Sequence, residues 1–231
     1  MLSRLRKIAS LLPALWRMVV FHLPGPIGCD LRCRYWKKRL RHLGEGVVIE
    51  PGVYFQGPEH ISIDDHCWID RDVILLAGID TTGREKIFLE NPEFKGEPGV
   101  IHIGKYVHIA PHCIISGISA GVYISDCCNI AASSKIYAFS HHYQSRKDPG
   151  NREIYFGPMV AEEEQCLILG PVQLGRNTGV AVNAVILPGV SIPDDCFVSV
   201  NSVVARGRYR SNSIIGGHPA TSGKNRYTVN E

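Results

Sequence analysis

The sequence has no uninterrupted apolar run near the length of about 20 residues that a membrane-spanning helix needs. Its most apolar stretch, residues 8–23, is interrupted by Pro13 and Arg17, and no small-residue cleavage site of a secretory signal follows it. A phosphate-binding loop is also missing, because Gly216 and Gly217 are not followed by a Lys-Ser or Lys-Thr pair. These absences argue against a spanning helix, a secretory signal and a P-loop nucleotide site.

Net charge is small as well, at +3 over 231 residues, but it is unevenly distributed. Residues 1–42 carry ten Lys or Arg and one acid, for a net charge of +9, and the remainder carries −6. A basic segment joined to an acidic body points to an anionic partner, either a membrane surface or a nucleic acid. Nucleic acid is disfavoured, because the body offers no basic groove studded with aromatic side chains. The ordinary apolar fraction of 45% excludes a disordered chain.

The basic head, residues 1–45, is predicted to form two helices separated by a Pro-Gly-Pro break. The first mixes Trp16 and Phe21 with basic residues, a composition typical of a helix that lies in the membrane interface. The second has an apolar stripe at helical spacing, and Gly44 can end it. The stripe consists of Leu31, Tyr35, Trp36, Leu40 and Leu43. Two interpretations stay open: the helices only cap the body, or they also contact a membrane.

An aliphatic residue recurs every six positions through the C-terminal half of the chain, in seven successive copies. These are Ile168, Leu174, Val180, Ile186, Ile192, Val198 and Val204. The same pattern runs earlier, with interruptions, from Ile49 to Ile136. There, Cys67, Cys113 and Cys128 stand four positions after an aliphatic residue, where a compact side chain is expected. We therefore predict buried, reduced thiols, which favour a cytosolic protein.

A period of six is neither helical nor the simple alternation of a strand. It fits short strands separated by tight turns, with three hexads to a coil and each coil stacked about 4.8 Å from the next. About 18 hexads then predict roughly six coils. The ends and edges of such a stack need protection, which we expect from the N-terminal helices and from the tail, residues 206–231.

Two segments, residues 80–98 and 142–163, interrupt the period. Long insertions at the corners of a repeat fold usually gather on one face and often shape a binding site. The alternative is that both are surface loops, because lengthening a loop costs little free energy.

The Ile-Gly-x-x-x-x repeats, ending in IGGHPA at residues 215–220, resemble the hexapeptide-repeat acyltransferases, especially sugar O-acetyltransferases of the maltose and galactoside type. The resemblance covers about residues 46–220. It implies an all-β fold: a left-handed parallel β-helix over residues 46–205, with N-terminal α-helices and a C-terminal capping tail. It further implies a homotrimer and acetyl-CoA as the acyl donor, and no metal is expected.

The resemblance also implies a catalytic base. When the rung that begins at Ile136 is aligned with the family, the catalytic histidine falls on His141, and His142 is the fallback. Histidine suits this role because a neutral imidazole can take a proton from an acceptor hydroxyl near neutral pH. The second ring nitrogen should have an orienting partner, which is either a backbone carbonyl or one of the three glutamates at 162–164.

Further site residues follow from the same resemblance. The positions that match the donor-binding residues of the family are Val182, Val200, Ala205, Arg206 and Lys224. Arg206, Arg208 and Arg210 form a basic cluster suited to the phosphates of coenzyme A. For the acceptor we predict contacts from Tyr143 and His112.

Alternatives from other classes stay open. The same fold hosts zinc-dependent carbonic anhydrases that use three histidines. The candidate ligands here are His60, His66, His102, His108 and His112. A repeat prism can also serve as a non-catalytic scaffold.

Within acyl transfer, the acceptor can be a small molecule such as serine, a free sugar or an antibiotic. The basic head instead favours a lipid-linked or surface polysaccharide. We therefore predict a cytoplasmic O-acetyltransferase that lies peripherally at the inner face of the cytoplasmic membrane and has no nucleic-acid partner.

Overall fold

The computed structural model describes residues 13–228. Arg4, Arg6 and Lys7, which belong to the predicted interfacial helix, lie outside this range. No helix within the range is long and apolar enough to cross a membrane. The helices are α1 (13–22), α2 (Gly25–Lys37) and two 3-10 helices at Pro58–His60 and Glu162–Glu164.

Most strands form the three faces of a prism. Face one contains β1 (His42–Leu43), β4 (Ile61–Ile63), β8 (Ile101–Ile103), β11 (Val122–Ile124), β16 (Val172–Leu174) and β19 (Ser191–Ile192). Face two contains β2 (Val48–Ile49), β5 (Trp68–Ile69), β9 (His108–Ile109), β12 (Asn129–Ile130), β17 (Gly179–Val180), β20 (Phe197–Val198), β22 (Ser213–Gly217) and β23 (Ala220–Asn225). Face three contains β3 (Tyr54–Gln56), β6 (Ile74–Leu76), β10 (Ile114–Ser116), β13 (Lys135–Tyr137), β18 (Val185–Ile186) and β21 (Val203–Val204).

The chain visits faces one, two and three in turn, six times, and successive coils pair in parallel. Inward residues stack in register: on face two, Ile109 pairs with Ile130, and Ile130 pairs with Val180. These side chains are buried, because every strand presents the same aliphatic position of its hexad to the interior. The predicted parallel β-helix is confirmed.

Compact residues fill the remaining interior positions. Cys67, Cys113 and Cys128 are all buried free cysteines, as predicted. Burial raises the pKa of the Cys67 and Cys113 thiols to about 11 and that of Cys128 to about 12, so these thiols stay neutral at pH 7. Ile168 departs from the hexad prediction. It is only partly buried, because it precedes the fifth coil, which begins at Val172.

The N-terminal end of the prism is closed by α2. Arg32 is buried, and its guanidinium donates to the carbonyl oxygens of Ile49 and Leu23, at 2.6 Å each. Trp36 packs on Phe55 of the first coil, with ring centroids 4.6 Å apart. Arg32 therefore links α2 to the first coil and to the segment that precedes α2.

The second helix is shorter than its sequence pattern suggests. It ends at Lys37, seven residues before the predicted stop at Gly44. Leu43 instead belongs to β1, where it pairs with Ile63 of the second coil. The helical spacing predicts that Leu43 lies in α2, but parallel pairing with β4 places it in a strand.

A hairpin closes the C-terminal end. β22 pairs in parallel with β20, and β23 returns antiparallel to β22, so β23 covers the last parallel edge of face two. This is the capping role expected of the tail.

Both insertions leave the prism at the corner between face three and face one, which we call the third corner. The first insertion contributes one strand, and the segments on either side of the second insertion contribute two, to a separate three-stranded sheet, the outer sheet. Its strands, in spatial order, are β14 (Phe139–His141), β15 (Cys166–Leu169) and β7 (Glu85–Phe88). The insertions therefore gather at one place, as the repeat pattern predicts.

The central coils should be intolerant of cavities. Ile130→Ala removes a fully buried side chain from the fourth coil. We expect it to lower the free energy of unfolding by about 2–5 kcal/mol, measured by urea denaturation, whereas Ile130→Val should cost about 0.5–1.5 kcal/mol. Equal stabilities for the two variants would contradict the packing described here.

Candidate active site

His141 ends the outer strand β14, and His142 follows it directly. His141 lies opposite Leu167 of β15, and the backbone N–H of His142 donates to the carbonyl of Cys166 at 2.8 Å. Because side chains alternate along a strand, His141 and His142 project from opposite faces of the outer sheet. The two candidate bases therefore have different surroundings.

The imidazole of His142 is oriented by a backbone carbonyl. Its Nδ1 lies 2.6 Å from the carbonyl oxygen of Gln144 and 3.3 Å from the N–H of the same residue. The carbonyl can only accept, so the shorter contact places the proton on Nδ1. In the neutral ring, Nε2 then carries a lone pair and can accept a proton.

The ring of His141 has a different environment. It is exposed, and its nearest aromatic neighbour is Phe156 of the second insertion, edge-on with ring centroids 6.3 Å apart. Within residues 13–228 its ring nitrogens make no hydrogen bond. Of the glutamates expected to orient a histidine, Glu162 instead accepts from the backbone N–H of Gly83. A backbone carbonyl therefore orients a histidine ring, as one of the two predicted partners, but that ring belongs to His142 and not to His141.

A cavity of about 270 Å³ lies between the first insertion and the outer sheet. Its apolar wall includes Phe139, Leu167 and Leu169, which share the sheet face of His141 because they are its neighbours in strand register. Its polar wall includes Asp80 and Arg84.

That polar wall carries buried atoms without a hydrogen-bond partner within the described range: Oδ2 of Asp80 and Nε of Arg84. Both atoms are inaccessible, and Oδ2 of Asp80 lies 3.9 Å from Nζ of Lys86, so the cavity is lined by the other atoms of these two residues. Sequence reasoning missed both residues, because they lie in an insertion that has no repeat register. The only sequence feature that marks these two residues is an acidic side chain followed, four positions later, by a basic one.

The acceptor candidates are separated in the structure. Tyr143 stacks on His142, with ring centroids 4.6 Å apart, and is mostly exposed. His112 lies at the second corner, between face two and face three, where its Nδ1 is 3.9 Å from a carboxylate oxygen of Asp72. Within one copy of the chain, His112 therefore lies apart from the outer sheet. The position of His112 in its hexad places it at the second corner, whereas the outer sheet lies at the third.

A second cavity, of about 610 Å³, lies near the C-terminal end of the prism. It runs between Glu90 and Glu93 of the first insertion and the segment after β21, where Arg206 and Arg208 line it. Arg206 also donates to the carbonyl of Glu90 at 3.1 Å. Arg210 turns away and donates to the carbonyl of Gly223, so the expected three-arginine cluster is reduced to two.

The remaining donor candidates lie at other places. Val182 and Val200 are 47% and 58% exposed and stack at the second corner, where the N–H of Asn201 donates to the carbonyl of Val182 at 3.1 Å. Ala205 adjoins Arg206 at the third corner, and Lys224 is exposed on the terminal hairpin. Within one copy of the chain, the donor candidates therefore lie at three separate places: the second corner, the third corner and the terminal hairpin.

The histidines of the zinc alternative do not converge within one copy. Both ring nitrogens of His108 are engaged, at 2.9 Å each, by Asp70 and Asn129. His102 stacks on Tyr123 of face one, and burial lowers its pKa. Across residues 13–228, no group of three or more His, Cys, Asp or Glu side chains is arranged to hold a metal ion.

Similarity to a curated protein extends over part of the chain. No family model matches the sequence. Over 144 residues it is 28% identical to WbbJ of Escherichia coli, a protein named for O-acetyl transfer in lipopolysaccharide biosynthesis, and the match covers 62% of each chain. The chain therefore spans less than two thirds of the length of that relative.

Solved structures share the fold. AntD, an N-acyltransferase from Bacillus cereus in complex with dTDP and 3-hydroxybutyryl-CoA, has a TM-score of 0.65 and 21% identity over 84% of this chain and 87% of AntD. A hexapeptide-repeat-containing acetyltransferase from Vibrio cholerae, complexed with acetyl coenzyme A, has a TM-score of 0.53 and 19% identity over 95% of this chain and 88% of that protein.

The fold is therefore the left-handed β-helix of the hexapeptide-repeat acyltransferases. The resemblance in fold that the repeats indicate is confirmed, and the curated relative is itself named for O-acetyl transfer.

Proposed function

We propose that the protein is an acetyl-CoA-dependent O-acetyltransferase that acts on a sugar hydroxyl of a lipid-linked or surface polysaccharide. The observation that carries this proposal is the carbonyl-oriented imidazole of His142, which lies where the two insertions meet. The curated relative named for lipopolysaccharide O-acetyl transfer and the coenzyme A complexes of the structural neighbours support the acceptor and donor classes.

In the proposed reaction His142 acts as general base. Its Nε2 takes the proton of the acceptor hydroxyl while the hydroxyl oxygen attacks the thioester carbonyl carbon. A carbon–oxygen bond forms, the carbon–sulfur bond breaks, and the proton passes from Nε2 to the departing thiolate of coenzyme A. The sequence favours His141 for this role, but a base needs a fixed ring with a free nitrogen, and the bond to Gln144 supplies both for His142.

The cavity beside the outer sheet lies on the His141 face, opposite to the face from which His142 projects, so we propose that it binds a sugar ring of the glycan next to the one that carries the reacting hydroxyl. Phe139 offers an apolar surface for a sugar ring, while Asp80 and Arg84 offer an acceptor and a donor for hydroxyl groups. Sites of this kind combine apolar walls with a few directed polar groups. His141 and Tyr143 lie nearby along the chain and are proposed to complete the acceptor contacts.

A homotrimer would bring together the candidate site residues that lie at separate corners of one copy. Val182, Val200 and His112 occupy the second corner, whereas Arg206 and the insertions occupy the third. In a closed ring of three copies, the second corner of one copy can face the third corner of the next, and the donor can lie between them.

The head is proposed to hold the enzyme at the cytoplasmic face of the membrane. Leu15, Trp16, Met18 and Val19 are exposed on α1, which gives an apolar surface beside basic residues of α2 such as Arg34 and Lys37. Such a surface suits a helix lying among anionic headgroups. Since α2 also closes the prism, capping and membrane contact are compatible.

The two histidines can be separated by paired alanine variants. His142→Ala should lower kcat by about 10²–10⁴-fold, because general-base catalysis typically contributes that factor. His141→Ala, its neighbour on the same strand, should retain kcat within about tenfold and mainly raise the KM of the acceptor. The measurement is thioester consumption with lipid-linked glycans, free sugars and dTDP-sugars as acceptors, together with circular dichroism to check folding.

The reverse order, with His141→Ala inactive and His142→Ala active, would restore the sequence prediction and contradict the role of the Gln144 bond. Full activity in both variants would contradict histidine catalysis at this site.

The donor cavity gives a second matched pair. Arg206→Ala should raise the KM for acetyl-CoA by about 10–100-fold with little change in kcat, because a charged hydrogen bond to phosphate is worth about 1.5–3 kcal/mol. Arg210→Ala should leave that KM unchanged, since Arg210 points to Gly223. An equal effect of both substitutions, or no effect of Arg206→Ala, would contradict donor binding in this cavity.

Membrane contact is tested by co-sedimentation with vesicles that contain anionic lipid. The double variant Leu15→Ser, Val19→Ser removes apolar side chains one helical turn apart and should weaken binding, as should raised salt. Trp68→Ser removes an exposed aromatic side chain from face two and should have no effect. Binding that is insensitive to salt and to the double variant would contradict the proposed surface.

A further inference from the structure

A carboxylate of the first insertion holds the start of the second. Glu85 opens β7, and its Oε2 accepts a hydrogen bond from the hydroxyl of Ser145 at 2.6 Å. Its Oε1 accepts from the backbone N–H groups of Arg146 and Lys147, at 2.9 and 3.1 Å. One side chain thus binds three consecutive residues that lie 60 to 62 positions further along the chain.

The connection is reinforced on both sides. Ser145 is only 5% exposed, and its hydroxyl oxygen also accepts from the N–H of Asp148 at 2.9 Å. The backbone N–H of Glu85 donates to the carbonyl of Gln165 at 3.1 Å, which fixes the backbone of Glu85 to the start of β15. Burial alone would raise the pKa of Glu85, but the hydrogen bonds from Ser145 and the two amides outweigh it and hold that pKa below its ordinary value. The carboxylate is therefore ionised and accepting at neutral pH.

The bond to Ser145 lies one peptide unit from the bond that orients His142. The carbonyl of Gln144 and the nitrogen of Ser145 belong to the same planar peptide group, so fixing Ser145 limits the direction of the Gln144 oxygen. That oxygen is the partner of His142 Nδ1, at 2.6 Å. The N–H of His142 is itself fixed to Cys166, directly across from Glu85 in the strand register. Both ends of the short turn from His142 to Ser145 are therefore tied to the outer sheet.

We propose that Glu85 is a positioning residue for the His142 imidazole: its carboxylate fixes the peptide between Gln144 and Ser145, and that peptide holds the Nδ1–H tautomer with Nε2 free. The proposal rests on His142 being the base of the proposed function. It assigns the first insertion a role in catalysis besides lining the cavities.

The test is Glu85→Gln, which keeps the length of the side chain and removes the charge. We expect kcat to fall by about 10–100-fold with the KM for acetyl-CoA within about twofold, because a base held by weaker partners spends less time in the productive orientation. Ser145→Ala should act in the same direction, and the double variant should be no worse than Glu85→Gln alone, since both act through one connection.

A matched control is Glu97→Gln. Glu97 lies in the same insertion and its two carboxylate oxygens accept from Arg41, at 2.9 and 3.0 Å, but these contacts lie away from the outer sheet. This variant should keep the wild-type kcat.

A readout independent of activity is the nitrogen-15 NMR spectrum of histidine-labelled protein, with His142→Ala used for assignment. The wild type should show His142 as the Nδ1–H tautomer, and Glu85→Gln should shift it toward the Nε2–H form. An unchanged tautomer and unchanged kcat in Glu85→Gln would overturn the proposal. If His142→Ala proves active while the tautomer still shifts, the proposed base is wrong and the positioning connection stands.

Discussion

Each coil of the prism lies directly on the coil before it, and this register is the constraint on which the rest of the structure depends. A residue's place within its hexad decides whether it faces the interior, lies on an outer face or turns a corner. An insertion can leave only at a corner without breaking the stack. Both insertions leave at the third corner, so β15 can pair with β14 on one side and with β7 on the other, and residues 145–147 can reach Glu85 of β7.

The same constraint explains which parts could be predicted from sequence. The period of six predicts the parallel β-helix, the six coils and the buried cysteines, because each follows from the position of a residue within its hexad. The end of α2 was not predictable from helical spacing alone, since β1 takes Leu43 into a pairing with Ile63, which is 20 residues away. The burial of Arg32 is likewise not predictable from helical spacing, because its partners are carbonyl groups of the first coil and of the α1–α2 connection.

Of the candidate site, the sequence predicts His141 as the base, which stays a prediction, and the proposal of His142 comes from the structure. Alignment through the rung at Ile136 indicates the His141–His142 segment, but the choice within it depends on a carbonyl that only the folded turn presents. Glu85, Asp80 and Arg84 had no sequence signal of comparable strength, because they lie in an insertion without repeat register. Their roles depend on contacts across distant parts of the chain, such as the bond from Ser145 to Glu85.

The most direct test of the account is the product of the reaction. Purified protein would be incubated with acetyl-CoA and a lipid-linked glycan, and the glycan would be analysed by mass spectrometry before and after mild alkali. The account predicts a mass gain of one acetyl group that alkali removes, as expected of an ester on a sugar hydroxyl. An alkali-stable acetyl group would indicate transfer to nitrogen, and either that result or the absence of any acetylated acceptor across the sugar panel would contradict O-acetyl transfer.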